Sequence, residues 1–265
     1  MTVPTLHVQS IGQGRDLVML HGWAMHSGYF EPVLEQLAQD FRVHLVDIPG
    51  HGRSHSCPQQ YSIEYIGKEI FQILSPRIND EAIWLGWSMG ASVATWTAAH
   101  ESKKISALIL VASNPRFVQQ SDWSHGIENK VLQDFASELI RDYEKTLLRF
   151  LSLQIRGAIN ERDLLRVLRN QMRNLPAPEV AALIGGLEIL QQFDGRDILQ
   201  NIKQPVFVIA GQKDTLVPVS ALQTMAKQSD KIKLSEWAGT GHAPFLTDPN
   251  RFSNEVKAFA DGLDA

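Results

Sequence analysis

A serine, an aspartate and a histidine that could pass one proton among them stand at instructive places in this sequence. Gly86-Trp-Ser88-Met-Gly90 has the form G-x-S-x-G, preceded by the apolar run Ala82-Ile-Trp-Leu-Gly86 and followed by the helical pattern Ala91 to Glu101. A serine at a sharp strand-to-helix turn presents its hydroxyl at the end of a sheet. Glycines on either side let the backbone close in where a side chain would collide. The helix that follows points its N-terminal N–H groups and the positive end of its dipole at the same place. A hydroxyl is a weak nucleophile until a base takes its proton, and the base needs a third group to orient it. In this architecture the chain order is serine, acid, histidine.

Three histidines follow Ser88. His100 lies on the adjoining helix and reads as a surface residue, and His125 falls in a helix-rich stretch. His242 sits in Gly239-Thr-Gly-His-Ala-Pro, beyond the apolar run Ile232 to Trp237, where a glycine-flanked loop can carry an imidazole base. Asp214 follows the run Val206 to Ala210 through Gly211-Gln-Lys, which places a carboxylate past the carboxyl end of a strand, where α/β proteins assemble their sites. Asp194 and Asp197 precede that run and fall at the opposite edge, while Asp248 before Pro249 suits a helix N-cap. An oxyanion forming on an attacked carbonyl needs donors already in place. The expected ones are the backbone N–H groups of Met89 and of Trp23, in the His21-Gly22-Trp23 loop. The Trp23 indole reads either as a wall of an acyl pocket or as plain core.

These residues require a scaffold of parallel strands. Asp16–Leu20, Val43–Asp47, Ala82–Gly86, Ala107–Ala112 and Val206–Ala210 are short Val-, Ile- and Leu-rich runs of the kind covered on both faces. Helical spacing separates them at Phe30 to Ala38, Ile63 to Leu74, Ala91 to Glu101 and Val219 to Lys227, so the expected fold class is α/β, a mostly parallel sheet flanked by helices. Leu6-His-Val-Gln alternates and suits an antiparallel edge strand. From Asn114 to Gln192 no strand pattern is found, only helical patterns broken by Gly157, Pro176, Pro178 and Gly185-Gly186. Leu147, Leu148, Leu151 and Ile155 form one apolar stripe there, and Leu164, Leu165 and Leu168 another. The expected organisation is a core of residues 1–113 and 193–265 with an all-helical insertion at 114–192.

Composition excludes several classes. The 265 residues are 44% hydrophobic and 20% charged, ordinary for a globular chain, with a net charge of −4. One cysteine, Cys57, excludes an internal disulfide and any multi-cysteine metal site, and reads as a loop thiol. No targeting segment or apolar run of membrane-spanning length is found, so a cytoplasmic protein is expected. Asp47-Ile-Pro-Gly-His-Gly-Arg-Ser54 lacks the G-x-G-x-x-G pattern and the P-loop lysine and reads as a structural turn. His21 with His26, and His51 with His55, lack acidic or cysteine partners at ligand spacing, so no metal and no cofactor is expected.

Taken together, these residues resemble the α/β-hydrolase superfamily and, within it, the pimeloyl-[acyl-carrier protein] methyl ester esterases of bacterial biotin synthesis. Leu20-His-Gly-Trp-Ala, His44-Leu-Val-Asp-Ile-Pro-Gly and Ala82–Gly90 carry the superfamily likeness. Arg149-Phe-Leu-Ser-Leu-Gln154 and Gly185-Gly-Leu-Glu-Ile-Leu190 are more specific. Ala91 stands where the motif's glycines often continue. The resemblance implies Ser88 as nucleophile, Asp214 as acid, His242 as base, Trp23 and Met89 as oxyanion donors, and Phe150 and Gln154 lining an acyl channel under a helical lid. It implies a monomer without metal or cofactor.

Charge adds to this reading. Arg141 to Arg173 carries +4, which leaves −8 on the rest of the chain. Arg162, Arg166, Arg169 and Arg173 line one helix face, and Lys145 and Arg149 stand one turn apart. A basic face on an acidic protein suits an acidic partner such as an acyl carrier protein, with Lys145, Arg149, Arg162 and Arg166 as docking residues. The plainer reading is a solvated face laced with local ion pairs. Nucleic acid is disfavoured by the −8 elsewhere. A broad short-chain carboxylesterase and a non-catalytic binding protein of the same fold are the alternatives; a dehalogenase is disfavoured because the turn carries Ser88 rather than an aspartate.

Overall fold

A computed structural model of the chain describes residues 6–55 and 60–264, so Cys57 lies outside the described residues. Seven strands form one sheet: β1 (Val8–Ile11), β2 (Arg15–Leu20), β3 (Phe41–Val46), β4 (Ala82–Trp87), β5 (Ile105–Val111), β6 (Val206–Gly211) and β7 (Ile232–Trp237). Their order is β1-β3-β2-β4-β5-β6-β7, with β1 antiparallel to β3 and every other pairing parallel. The alternating N-terminal run does supply the antiparallel edge, but the strand begins at Val8 rather than Leu6.

Helices α1 (Glu31–Leu37), α2 (Ile63–Leu74) and α3 (Met89–His100) connect the first five strands. α4 (Asn129–Arg141), α5 (Tyr143–Gln154), α6 (Glu161–Asn174) and α7 (Val180–Gln192) follow β5. α8 (Arg196–Asn201) leads into β6, α9 (Val219–Ala226) joins β6 to β7, and α10 (Pro244–Thr247) and α11 (Pro249–Asp261) end the chain. Asp248 caps α11 by accepting from the Arg251 N–H at 3.0 Å, with Pro249 at the first helical position. None of these helices is long and apolar enough to cross a membrane.

Side chains alternate across a strand, and the two sheet faces carry separate cores. Val18, Leu20, Trp84, Leu108 and Val208 pack with Ile66 and Ile70 of α2 and Val93 of α3. Leu17, Met19, Leu85, Ile109 and Ile209 pack with Val33 of α1 and Phe252 and Val256 of α11. Both cores extend into the helices after β5: Leu147, Leu183 and Leu187 join the first, and Leu151, Ile155, Leu164 and Leu168 the second.

The expectation of an all-helical insertion from residue 114 is corrected at its start. Residues 114–128 form no helix; they fold on themselves through isolated bridges Val118↔Ile127 and Gln120↔Trp123, and Arg116 bridges to Asp194. Phe117, Val118, Trp123 and Ile127 do not fall on one helix face, and the Trp123 indole N–H donates to the Arg116 carbonyl at 2.9 Å, closing the loop instead. Leu148 is corrected too. It stands about 100° around α5 from Leu147 and is exposed, while Leu147, Leu151 and Ile155 are buried.

Candidate active site

Ser88 occupies the turn between β4 and α3 with φ +55° and ψ −118°. A non-glycine residue there stores on the order of 1–3 kcal/mol of strain, held by its N–H donating to the Val111 carbonyl at 2.9 Å and its carbonyl accepting from Ala91 N–H at 2.9 Å. α3 therefore starts at Met89, two residues earlier than its sequence pattern suggests. Gly90 is required by space: a Cβ there would press on the Leu20 carbonyl oxygen and lie 2.5 Å from that of His21. The loop after β2 thus abuts the Ser88 turn, and a Cβ on Gly22 would be 3.3 Å from Ser88 Cβ.

Asp214 turns back at the end of β6. Its Oδ1 accepts from the N–H groups of Leu216 and Val217 at 2.8 and 2.9 Å, and its Oδ2 accepts from His242 Nδ1 at 2.7 Å. Both side chains of this pair are 1% exposed. The bond assigns the proton to Nδ1, which leaves Nε2 as the lone-pair nitrogen; it is buried and has no hydrogen-bond partner among the described residues. An unsatisfied buried acceptor is unusual and calls for an explanation.

The strand ends thus gather the serine, the aspartate and the histidine that the sequence singled out, and the competitors go elsewhere. Asp194 pairs with Arg116 and Arg196 at 3.0 and 2.7 Å. His100 stacks on Trp96. His125 sits in the non-helical loop between the hydroxyls of Ser220 and Thr224, at 3.3 and 3.2 Å.

The Asp47–Ser54 turn, with the histidines around it, buttresses the Trp23 loop. Asp47 accepts from Ser27 N–H at 2.7 Å and Arg53 N–H at 2.9 Å. His21 Nε2 accepts from Ile48 N–H at 2.9 Å, and His51 Nε2 accepts from the N–H of Ala24, whose φ is +61°. Burial, reinforced by the nearby His51, pushes the His21 pKa down to about 3, and burial takes His51 down to about 4. Both rings are neutral acceptors for backbone, a role that the sequence pattern of these histidines does not show.

A cavity of about 400 Å³ opens beside the site, lined by Trp23, Phe135, Phe150, Leu153, Leu187 and Leu216, with Asp134, Glu138, Arg149 and Arg156 at its charged part. Phe150 meets the Trp23 ring edge-on at 4.9 Å. Gln154, in contrast, is not among the lining side chains. It is buried, its Nε2 donates to the Phe150 carbonyl at 3.2 Å, and its own carbonyl lies against Gly241, next to His242. A larger groove of about 550 Å³ lies at the opposite ends of β6 and β7, away from Ser88.

The basic residues Arg162, Arg166, Arg169 and Arg173 are all exposed on α6, opposite buried Leu164 and Leu168. Lys145 is exposed as well. Arg149 is engaged with Glu138 at 2.7 Å, and Arg166 lies 3.8 Å from Asp163.

Known proteins share this arrangement of elements. The family model for the alpha/beta hydrolase fold matches residues 17–249. The chain is 40% identical to a protein of Nitrosomonas europaea named pimeloyl-[acyl-carrier protein] methyl ester esterase, over 94% of this chain and 96% of that one. It is 37% identical to the protein of that name from Vibrio parahaemolyticus, over 96% and 98%. An esterase from Exiguobacterium antarcticum superposes with a TM-score of 0.89 at 22% identity, over 97% of this chain and 95% of that one, a likeness of fold. The chain belongs to the alpha/beta hydrolase family and is a homologue of the pimeloyl-[acyl-carrier protein] methyl ester esterases.

Proposed function

We propose that this protein is a serine carboxylesterase that hydrolyses the methyl ester of pimeloyl-[acyl-carrier protein] to pimeloyl-[acyl-carrier protein] and methanol, a step of biotin biosynthesis. The chemistry rests on one observation, the buried Asp214–His242 pair with a partnerless Nε2, whose histidine is bonded through its carbonyl to Trp87, the residue before the strained Ser88. The substrate rests on the named relatives at 37–40% identity over nearly the whole chain.

Ser88 Oγ attacks the ester carbonyl as His242 Nε2 takes its proton, and Asp214 steadies the imidazolium. The backbone N–H groups of Met89 and Trp23 hold the developing oxyanion. His242 returns the proton to the departing methoxide, and methanol leaves an acyl-enzyme. Water, deprotonated by His242, attacks the acyl carbonyl; the carboxylate is released and Ser88 recovers its proton. The cavity walled by Trp23 and Phe150 holds the acyl chain, and Gln154 supports the His242 loop from beneath. The helices of residues 129–192 act as a lid on the core. The carrier docks on Lys145, Arg149, Arg162 and Arg166 of a cytoplasmic monomer, with Arg149 exchanging Glu138 for a carboxylate of the carrier.

The test is kcat/KM for methyl pimeloyl-[acyl-carrier protein] beside free dimethyl pimelate, with Ser88→Ala and His242→Ala as controls. A large preference for the carrier-borne ester and loss of turnover in both variants are expected. Equal rates on the two esters would reassign the protein as a generalist esterase, and an active Ser88→Ala would overturn the mechanism.

A further inference from the structure

Trp87 precedes Ser88 and is fully buried. Part of its role is volume, since its ring meets Phe245 edge-on at 4.9 Å and Phe30 at 6.4 Å between centroids. Its N–H goes elsewhere. Nε1 donates to the backbone carbonyl of His242 at 2.8 Å, and the imidazole lies 6.0 Å from the indole. A phenylalanine would fill most of that space without supplying the donor.

The imidazole is therefore held from two directions. Asp214 sets the rotation of the ring through Nδ1. The indole ties the backbone of His242 to β4, the strand that ends at the nucleophile. Other backbone ties of this loop are Lys213 N–H to the Thr240 carbonyl at 2.8 Å and Leu246 N–H to the Ala243 carbonyl at 3.1 Å, and neither reaches β4. Gly239 enters the loop with φ +66°, a conformation that glycine adopts freely.

We propose that Trp87 is a positioning residue for the reaction: its indole N–H registers the His242 loop to the nucleophile strand and so sets the reach of Nε2 for Ser88 Oγ. This rests on the triad reading above. Proton transfer depends steeply on placement, and a shift of about 1 Å can cost on the order of 100-fold in rate. A hydrogen bond in a dry interior holds such a placement well, because breaking it leaves both partners without water.

The test replaces Trp87 with 3-benzothienylalanine, which keeps the bicyclic ring and puts sulfur in place of N–H, and compares it with Trp87→Phe. Turnover of dimethyl pimelate and covalent labelling of Ser88 by an organophosphonate are both measured. In the benzothienyl variant kcat should fall roughly 10- to 100-fold, with KM within about twofold and the labelling rate reduced in parallel; Trp87→Phe should lose at least as much. A benzothienyl variant with kcat near wild type overturns the proposal, whether or not Trp87→Phe is impaired, because the ring and not the N–H would then matter. Activity surviving His242→Ala would instead overturn the triad reading, a distinct failure.

Discussion

The indole Nε1 of Trp23 donates to the backbone carbonyl of Leu183, 160 positions along the chain, at 2.9 Å. Trp23 belongs to the loop that abuts Ser88, and Leu183 lies in α7, so this bond joins the core to the helices above it. His26 Nε2 and the Tyr29 hydroxyl make two more such ties, to the carbonyls of Gln171 and Leu168 at 3.1 and 3.3 Å. Gly186 permits the first tie, because a Cβ there would be 2.6 Å from Trp23 Cδ1. Gly186→Ala should push the indole off its carbonyl and deform the cavity wall. KM for dimethyl pimelate should rise about tenfold, with a stability loss of about 1–3 kcal/mol typical of overpacking; steady-state kinetics and thermal melts read both.

Asp214→Asn keeps an acceptor for the Leu216 and Val217 N–H groups but offers an amide N–H toward His242 Nδ1. The imidazole then favours the wrong tautomer. Turnover should fall by roughly 10⁴ while the melting temperature stays close to wild type, a separation that a purely structural aspartate would not show.

Gly90→Ala tests the Ser88 turn itself. The added methyl meets backbone oxygens of Leu20 and His21, which terminate a central strand and cannot rotate away. A loss of about 2–3 kcal/mol, or roughly 4–12 °C in melting temperature, is expected. Little change in the melt would mean that β2 and the turn are less tightly opposed than described.

Acid should loosen the Trp23 loop. His21 and His51 are neutral in the fold, with pKa values depressed to about 3 and about 4, whereas the unfolded chain takes up protons near 6.5. Stability is therefore complete above about pH 6.5 and declines as pH falls from there toward 4, by up to about 1.4 kcal/mol per pH unit for each such histidine. Asp47 does not offset this, because its own pKa is lowered and it stays charged through that window. His51→Gln, which cannot gain the proton, should flatten the decline measured by chemical denaturation between pH 7 and 4.

The α6 arginines should matter to the carrier and not to the ester. Arg162→Glu combined with Arg166→Glu should lower kcat/KM for the carrier-borne substrate tenfold or more, an effect that fades with salt, and leave dimethyl pimelate unchanged. Equal losses on both substrates would point to damage to the lid rather than to docking.

Much of the scaffold and the proposed Ser88, Asp214 and His242 trio could be read from local pattern. A buried strand announces itself within six residues, and G-x-S-x-G constrains a turn through backbone contacts that only glycine allows. Asp214 and His242 follow from chain order and from standing past strand ends. These are short-range consequences of backbone geometry, so the sequence by itself determined them. The tertiary structure alone decided which distant groups meet. The 114–128 loop closes on Trp123 because its apolar residues suit no helix face; His21 and His51 become backbone acceptors because Ile48 and Ala24 arrive beside them. The Gln154 side chain bonds the Phe150 carbonyl instead of lining the cavity, Arg149 finds Glu138, and the N–H of Trp87 reaches the carbonyl of a histidine 155 positions away. Each of those pairings depends on how helices and loops pack over the sheet. Packing energy is summed over the whole interior, and no window of the chain contains it.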